Sequence, residues 1–193
     1  MNTKRNLLGL MGAAALTPLL LGIGEGRAAG GSQSHALPNP TLQNHEGRKL
    51  KFYDDVVRGK IVIINMMYTV CSGICPGNTA NLVRVQEMLG SRVGRDIFMV
   101  SLTLRPGFDT PAALQAYRAQ YGIQPGWTFL TGQAADVESI RRALGFFDSD
   151  PTIDSDISQH TGMLRIGNAA RERWVMTPAL ASPRQIVRTV LEM

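Results

Sequence analysis

The chain has 193 residues, a net charge of +5, and a composition that is 44% hydrophobic but only 6% aromatic. That length suits one domain plus a targeting segment, and the apolar fraction supports a packed core, which excludes a disordered chain. Few aromatic side chains, with Lys and Arg scattered among acids, exclude a stacking platform or basic groove for nucleic acid.

The N-terminus reads as a secretory signal. Lys4 and Arg5 form a positive start, Leu7 to Ile23 is apolar and uncharged, and small residues surround Gly26-Arg27-Ala28-Ala29. Residues 1–29 are therefore expected to be a signal peptide. The alternative is an uncleaved membrane anchor, the apolar run being near the ~17-residue lower limit for a span. In both cases the domain is expected in the periplasm or another exported setting, soluble if cleaved and membrane-associated if not. Residues 1–28 also hold +2 of the net charge (Lys4, Arg5 and Arg27 against Glu25), which leaves a mildly cationic +3 for the remainder.

Residues 30–40, with Pro38 and Pro40, read as a flexible leader before a domain over 41–193. Thr41 to Tyr53 alternates around Glu46-Gly47, a hairpin signal. Ile61 to Tyr68 is apolar on both faces, as in a central parallel strand covered on two sides. After a cysteine-bearing loop, Leu82, Val85 and Leu89 fall on one helical face that Gly90 closes. Ile97 to Leu104 is a second buried strand, and Thr110-Pro111 opens another helix, with Thr at the N-cap and Pro at the first helical position. Trp127 to Leu130 reads as a strand and Ala134 to Leu144 as a helix. Gly162 to Ile166 and Arg173 to Thr177 read as a hairpin turning at Gly167-Asn168, and Ser182-Pro183 caps a last helix to Leu191. Strands alternating with helices and ending in a hairpin and a helix predict an α/β, thioredoxin-like three-layer fold. Its mixed central sheet is flanked by helices, with an N-terminal hairpin and an insertion before the late hairpin.

The chemistry concentrates in Tyr68-Thr69-Val70-Cys71-Ser72-Gly73-Ile74-Cys75-Pro76, between a buried strand and a helix. Free N–H groups and the positive dipole end of that helix favour a thiolate, the species that attacks disulfides and binds soft metals. Three residues separate the cysteines, which permits a disulfide and equally permits the two sulfurs to grip one metal ion. A purely stabilising bridge is the weaker reading, because closing so small a loop removes little chain entropy. Two thiolates suit Cu(I), and an added imidazole makes a site that also accepts Cu(II) or zinc. A closed zinc site needs four protein ligands, and a chain with two Cys and three His would have to recruit carboxylates. Copper is favoured.

Of the three histidines, His35 lies in the leader and His45 beside the first hairpin turn, and both are expected to be surface residues rather than ligands. His160, in Ser158-Gln159-His160-Thr161-Gly162, precedes the late hairpin. In a thioredoxin-like sheet the loop entering that strand faces the cysteine loop, so His160 is a candidate third ligand. Met66 and Met67 fall in a buried strand on opposite faces, and with Met163 they are expected to be core rather than copper ligands. Asp109 is expected to support its turn and the helix start.

These elements resemble the Sco/SenC family of copper-binding, thioredoxin-like proteins over roughly residues 38–192. Gly59-Lys60 before the apolar strand, Tyr68-Thr69-Val70-Cys71, Cys75-Pro76, Ser101-Leu102-Thr103, Pro106, Asp109-Thr110-Pro111, Tyr117, Leu130-Thr131-Gly132 and His160 follow the family's order. The chain departs from the pattern at Arg105 and Gln159, where the family usually has Asp, and at Ser72, where Pro is frequent. The first two changes make the site less anionic. The resemblance implies one copper ion held by Cys71, Cys75 and His160, for delivery toward the binuclear copper centre of a cytochrome c oxidase subunit. The resemblance equally implies reduction of that centre's cysteines, and carrying copper requires a thiol-disulfide reductant to keep the pair reduced in an oxidising compartment. A thiol-disulfide oxidoreductase working through the same cysteines is the alternative, and a peroxidase is a weaker one.

Overall fold

A computed structural model describes residues 37–157 and 162–193. The apolar run Ile61–Met67 forms β3 at the centre of a seven-stranded sheet, where six of its seven side chains are buried. On one side it pairs in parallel with β4 (Ile97–Thr103), which pairs in parallel with β5 (Trp127–Thr131). On the other side it pairs antiparallel with β6 (Met163–Asn168), which continues to β7 (Arg173–Pro178). The first hairpin, β1 (Thr41–Asn44) and β2 (Lys49–Lys51), adds to the far edge through β1 against β5, giving the order β2-β1-β5-β4-β3-β6-β7. β3 is thus parallel to one neighbour only, although burial on both faces reads the same for either direction.

Each face of the sheet carries its own core. Ile63, Met67, Met99, Phe129 and Leu164 face α1 (Cys75–Leu89), α2 (Pro111–Gln120) and α5 (Pro183–Leu191). Val62, Ile64, Met66, Val100 and Leu130 face α3 (Ala134–Ala143) and the short helical turn Phe52–Val57. Met66 and Met67 divide between the two, as side-chain alternation along a strand requires. Residues 37–40 are tied to the domain: the Asn39 side chain accepts from the Tyr53 and Asp54 N–H groups, and the Pro40 carbonyl accepts from Phe52.

The helix starts match their capping chemistry. Thr110 accepts from the Ala113 N–H and Ser182 from the Gln185 N–H, each ahead of a proline in the first turn. Two local expectations are corrected. The late hairpin turns at Ala169–Arg171, with Glu172 in the left-handed region (φ 50°), and not at Gly167-Asn168. Gly167 lies inside β6 because the Trp174 ring crosses directly over it and leaves no room for a Cβ. His45 is buried rather than on the surface: its Nδ1 accepts the Phe129 N–H at 3.2 Å, linking β1 to β5. The inserted region contains a short helix, α4 (Pro151–Ser155), capped by Asp150. No helix among the described residues is long and apolar enough to cross a membrane.

Candidate functional site

The cysteine loop hangs from the carboxyl ends of the parallel strands, where open α/β sheets place their ligands. It is anchored from below by one buried carboxylate. Asp109 accepts from the Thr69 N–H, from the Thr69 hydroxyl at 2.5 Å and from the Thr103 hydroxyl. It therefore joins the end of β4 to the first residues after β3. The role expected for Asp109 was turn support, and its reach to Thr69 makes it the anchor of the loop as well.

Above that anchor the chain turns back, with the Cys71 N–H donating to the Tyr68 carbonyl at 3.2 Å, and enters α1 at Cys75. Pro76 occupies the first turn, where its missing N–H costs nothing. The structure brings Cys71 and Cys75 together as thiols, with no disulfide between them. Cys71 is half-buried, while Cys75 is 2% exposed and packed among core residues.

The two sulfurs are unequal. Burial raises the Cys71 pKa, but hydrogen bonds from the Cys75 thiol, the Cys75 and Gly73 N–H groups and the Tyr68 hydroxyl outweigh it and leave it lowered. Burial pushes the Cys75 thiol up to about 12, and its hydrogen bond to the Cys71 sulfur adds to the rise. The helix terminus was expected to favour thiolate generally. Its N–H groups reach Cys71 and lower it, whereas at Cys75, the first residue of the helix, the lowering by backbone hydrogen bonds is outweighed by burial. Tyr68 is raised, first by burial and then by its hydrogen bond to Cys71. It is the functional side chain that sequence reasoning passed over, signalled only by a hydroxyl at the end of a buried strand three residues before Cys71.

The supports extend down α1. The Thr79 and Tyr117 hydroxyls share a 2.8 Å hydrogen bond, fixing α2 against the turn that follows Cys75. Asn81 donates to the carbonyls of Ala179 and Ala181 at 2.7 and 2.8 Å, holding the turn after β7 against the same helix. His160 and its neighbours 158–161 lie outside the described residues. The chain resumes at Gly162, which sits against Ile74 and Asn78 in the first turn of α1. The Oδ1 of Asn78 is buried there without a hydrogen-bond partner among the described residues. Among the described residues, no three His, Cys, Asp or Glu side chains converge as a metal site. A cavity of ≈ 680 Å³ opens on the opposite face of the sheet, lined by Met66, Leu104, Val137, Phe146 and Ile153, and neither cysteine borders it.

The class these features define is a thioredoxin-like domain that holds two neighbouring thiols between its central strand and the following helix. A family model described as SCO1/SenC matches residues 31–193, and the chain belongs to that family. A SCO1 protein homolog of Bacillus subtilis (strain 168) is 29% identical over 93 residues, 48% of this chain and 47% of that one, so the chain spans about half of its relative's length in that match. Among solved structures, yeast Sco1 with copper bound aligns with a TM-score of 0.62 at 20% identity, covering 81% of this chain and 90% of that one. BsSco, described as having a disulfide switch and as a member of the Sco family of cytochrome c oxidase assembly proteins, aligns at 0.65 and 21%, covering 81% and 91%. At these identities the two structural likenesses bear on the fold.

Proposed function

We propose that this protein is an exported metallochaperone that carries one copper ion, as cargo, on Cys71, Cys75 and His160. The carrying observation is the pair of hydrogen-bonded thiols at the open end of the sheet, with the Cys71 pKa lowered by its hydrogen bonds. Two soft sulfur donors select Cu(I) over harder divalent ions, and an imidazole completes a three-ligand set that also tolerates Cu(II). Copper bound to yeast Sco1 supports the same cargo here. His160 is supported by its tether, since two residues of chain, at most ~7 Å, separate it from Gly162 beside α1. The buried Asn78 acceptor next to Gly162 suits the ring N–H of a ligand histidine, whose orientation usually depends on such a bond.

The acceptor of the cargo is a copper-binding subunit of cytochrome c oxidase, the assembly role described for BsSco. Residues 1–29 direct the domain to the periplasm or an equivalent compartment, and a thiol reductant keeps Cys71 and Cys75 ready. Because transfer exchanges ligands without changing the oxidation state of Cu(I), the acceptor also needs reduced cysteines.

A second reading has a specific observation in its favour, the inequality of the two sulfurs. The Cys71 thiolate would attack a partner disulfide, forming a mixed disulfide and releasing one partner thiolate. Cys75 would then lose its proton and attack the Cys71 sulfur, releasing the second thiolate and leaving a Cys71–Cys75 disulfide. The partner gains the two electrons that the dithiol loses.

Transfer separates the two readings. Loaded with Cu(I), the protein should pass copper to a reduced, copper-free oxidase copper-centre domain, and His160→Ala should impair transfer while sparing disulfide reduction. Reduction of the oxidised domain without copper transfer would favour the oxidoreductase.

A further inference from the structure

Four of the eight large apolar side chains exposed among the described residues surround the cysteine loop: Val70 (68%), Ile74 (36%), Phe108 (69%) and Leu180 (62%). Single exposed apolar residues are ordinary, but a cluster around a reactive centre calls for a partner. Three of them stand on turns that hydrogen bonds hold in place. Val70 lies in the turn closed by the Cys71 N–H on the Tyr68 carbonyl. The Phe108 and Asp109 N–H groups both donate to the Arg105 carbonyl. Leu180 is presented between the two carbonyls that Asn81 holds.

One charge sits within this rim. The Arg105 guanidinium lies 4.1 Å from the Phe108 ring centroid and 5.8 Å from that of Tyr68, so the two aromatic rings orient it. It forms no ion pair among the described residues. Residues 68–78 contain no acid, and the carboxylate of Asp109 is occupied by Thr69 and Thr103. A fixed, unpaired guanidinium within an apolar rim fits a carboxylate brought in by another molecule, because Arg recognises carboxylates in a planar, two-pronged geometry.

We propose that Val70, Ile74, Phe108 and Leu180, with Arg105 among them, form a docking surface for a protein whose reacting cysteines lie in an apolar segment bearing a carboxylate. The proposal rests on the reading of Cys71 and Cys75 as the transfer site and specifies the partner that site accepts. The rim excludes water around the exchanging sulfurs, and Arg105 sets the register of the incoming segment.

The test uses two synthetic peptides that differ at one position: a Leu-rich segment with one cysteine and a neighbouring Glu, and the same segment with Gln. Each cysteine is activated as a mixed disulfide with thionitrobenzoate. Attack by the Cys71 thiolate forms a Cys71–peptide disulfide and releases coloured thionitrobenzoate. Rates on the reduced full-length protein are divided by the alkylation rate with iodoacetamide, a small neutral reagent, so that changes in sulfur reactivity cancel.

The wild type should prefer the Glu peptide by about fivefold at low salt, with the preference falling as ionic strength rises. Arg105→Gln should abolish the preference, Arg105→Lys should retain part of it, and Leu180→Ser should slow both peptides by a similar factor. Equal rates for the two peptides, or a preference that survives Arg105→Gln, would overturn the proposal. Copper loading is measured separately on the same samples, so a protein that binds no Cu(I) yet discriminates the peptides refutes the cargo and leaves the docking surface standing.

Discussion

At the scale of single residues, the inequality of Cys71 and Cys75 shapes any chemistry the pair performs. A lowered Cys71 pKa means that its thiolate forms more readily than that of an ordinary thiol, while Cys75, raised to about 12, keeps its proton across the physiological range. Alkylation followed by mass spectrometry should therefore label Cys71 first and label Cys75 slowly at every pH up to about 9. Equal labelling would contradict the arrangement. Asp109 offers a second test. Its carboxylate accepts from the Thr69 N–H and from two threonine hydroxyls, so in Asp109→Asn one accepting oxygen becomes an NH2 and at least one of these donors loses its charged acceptor. The expected cost is about 2 kcal/mol in urea unfolding with an unchanged slope, together with faster Cys75 labelling as the loop loosens.

At the scale of elements, most of the fold was legible because its signals are local. Thr110-Pro111 and Ser182-Pro183 announce helix starts through capping alone, and a seven-residue apolar run has few uses other than a buried strand. Two features were not legible, because what decides them is distant in sequence. Gly167 resembles a turn glycine, but its purpose is to let Trp174 lie flat across β6. Gly167→Ala should force that ring away at a cost of about 2 kcal/mol, with a red shift in tryptophan emission as the check.

The other feature is the set of ion pairs that fixes the insertion after α3. Arg141 donates to both Asp154 oxygens, at 2.6 and 2.8 Å, and to Glu138, while Arg142 adds a further bond to Asp154. These bonds, led by the one from Arg141, hold the Asp154 carboxyl well below the usual carboxylate range. A carboxylate depressed in the folded state contributes stability that is full above its unfolded value of ~3.9 and is lost as pH falls toward its folded value. The difference in melting temperature between wild type and Asp154→Asn should therefore be constant from pH 7 to about 5 and shrink below about 4. A difference that grew on acidification would contradict the network.

For the whole molecule, the site was legible in part. Spacing and position bring Cys71 and Cys75 side by side ahead of α1, and topology recommends His160, since β6 starts beside the helix that follows β3. Gly162 against Ile74 follows that topology. What distinguishes the two sulfurs, and what the rim around them displays, depends on contacts between segments up to a hundred residues apart, such as Asn81 with Ala181. Composition gave no hint of these, because Val70, Phe108 and Leu180 are unremarkable until the fold gathers them at one edge.

The proposed site holds one Cu(I) ion on both sulfurs and one imidazole of a single chain. X-ray absorption at the copper edge of the reduced protein, loaded with one equivalent of Cu(I), tests it most directly. Two sulfur scatterers and one imidazole nitrogen, with the nitrogen lost in His160→Ala and both sulfurs lost in the double cysteine-to-serine variant, is the expected result. A spectrum with no sulfur ligand, or one left unchanged by His160→Ala, would contradict the account.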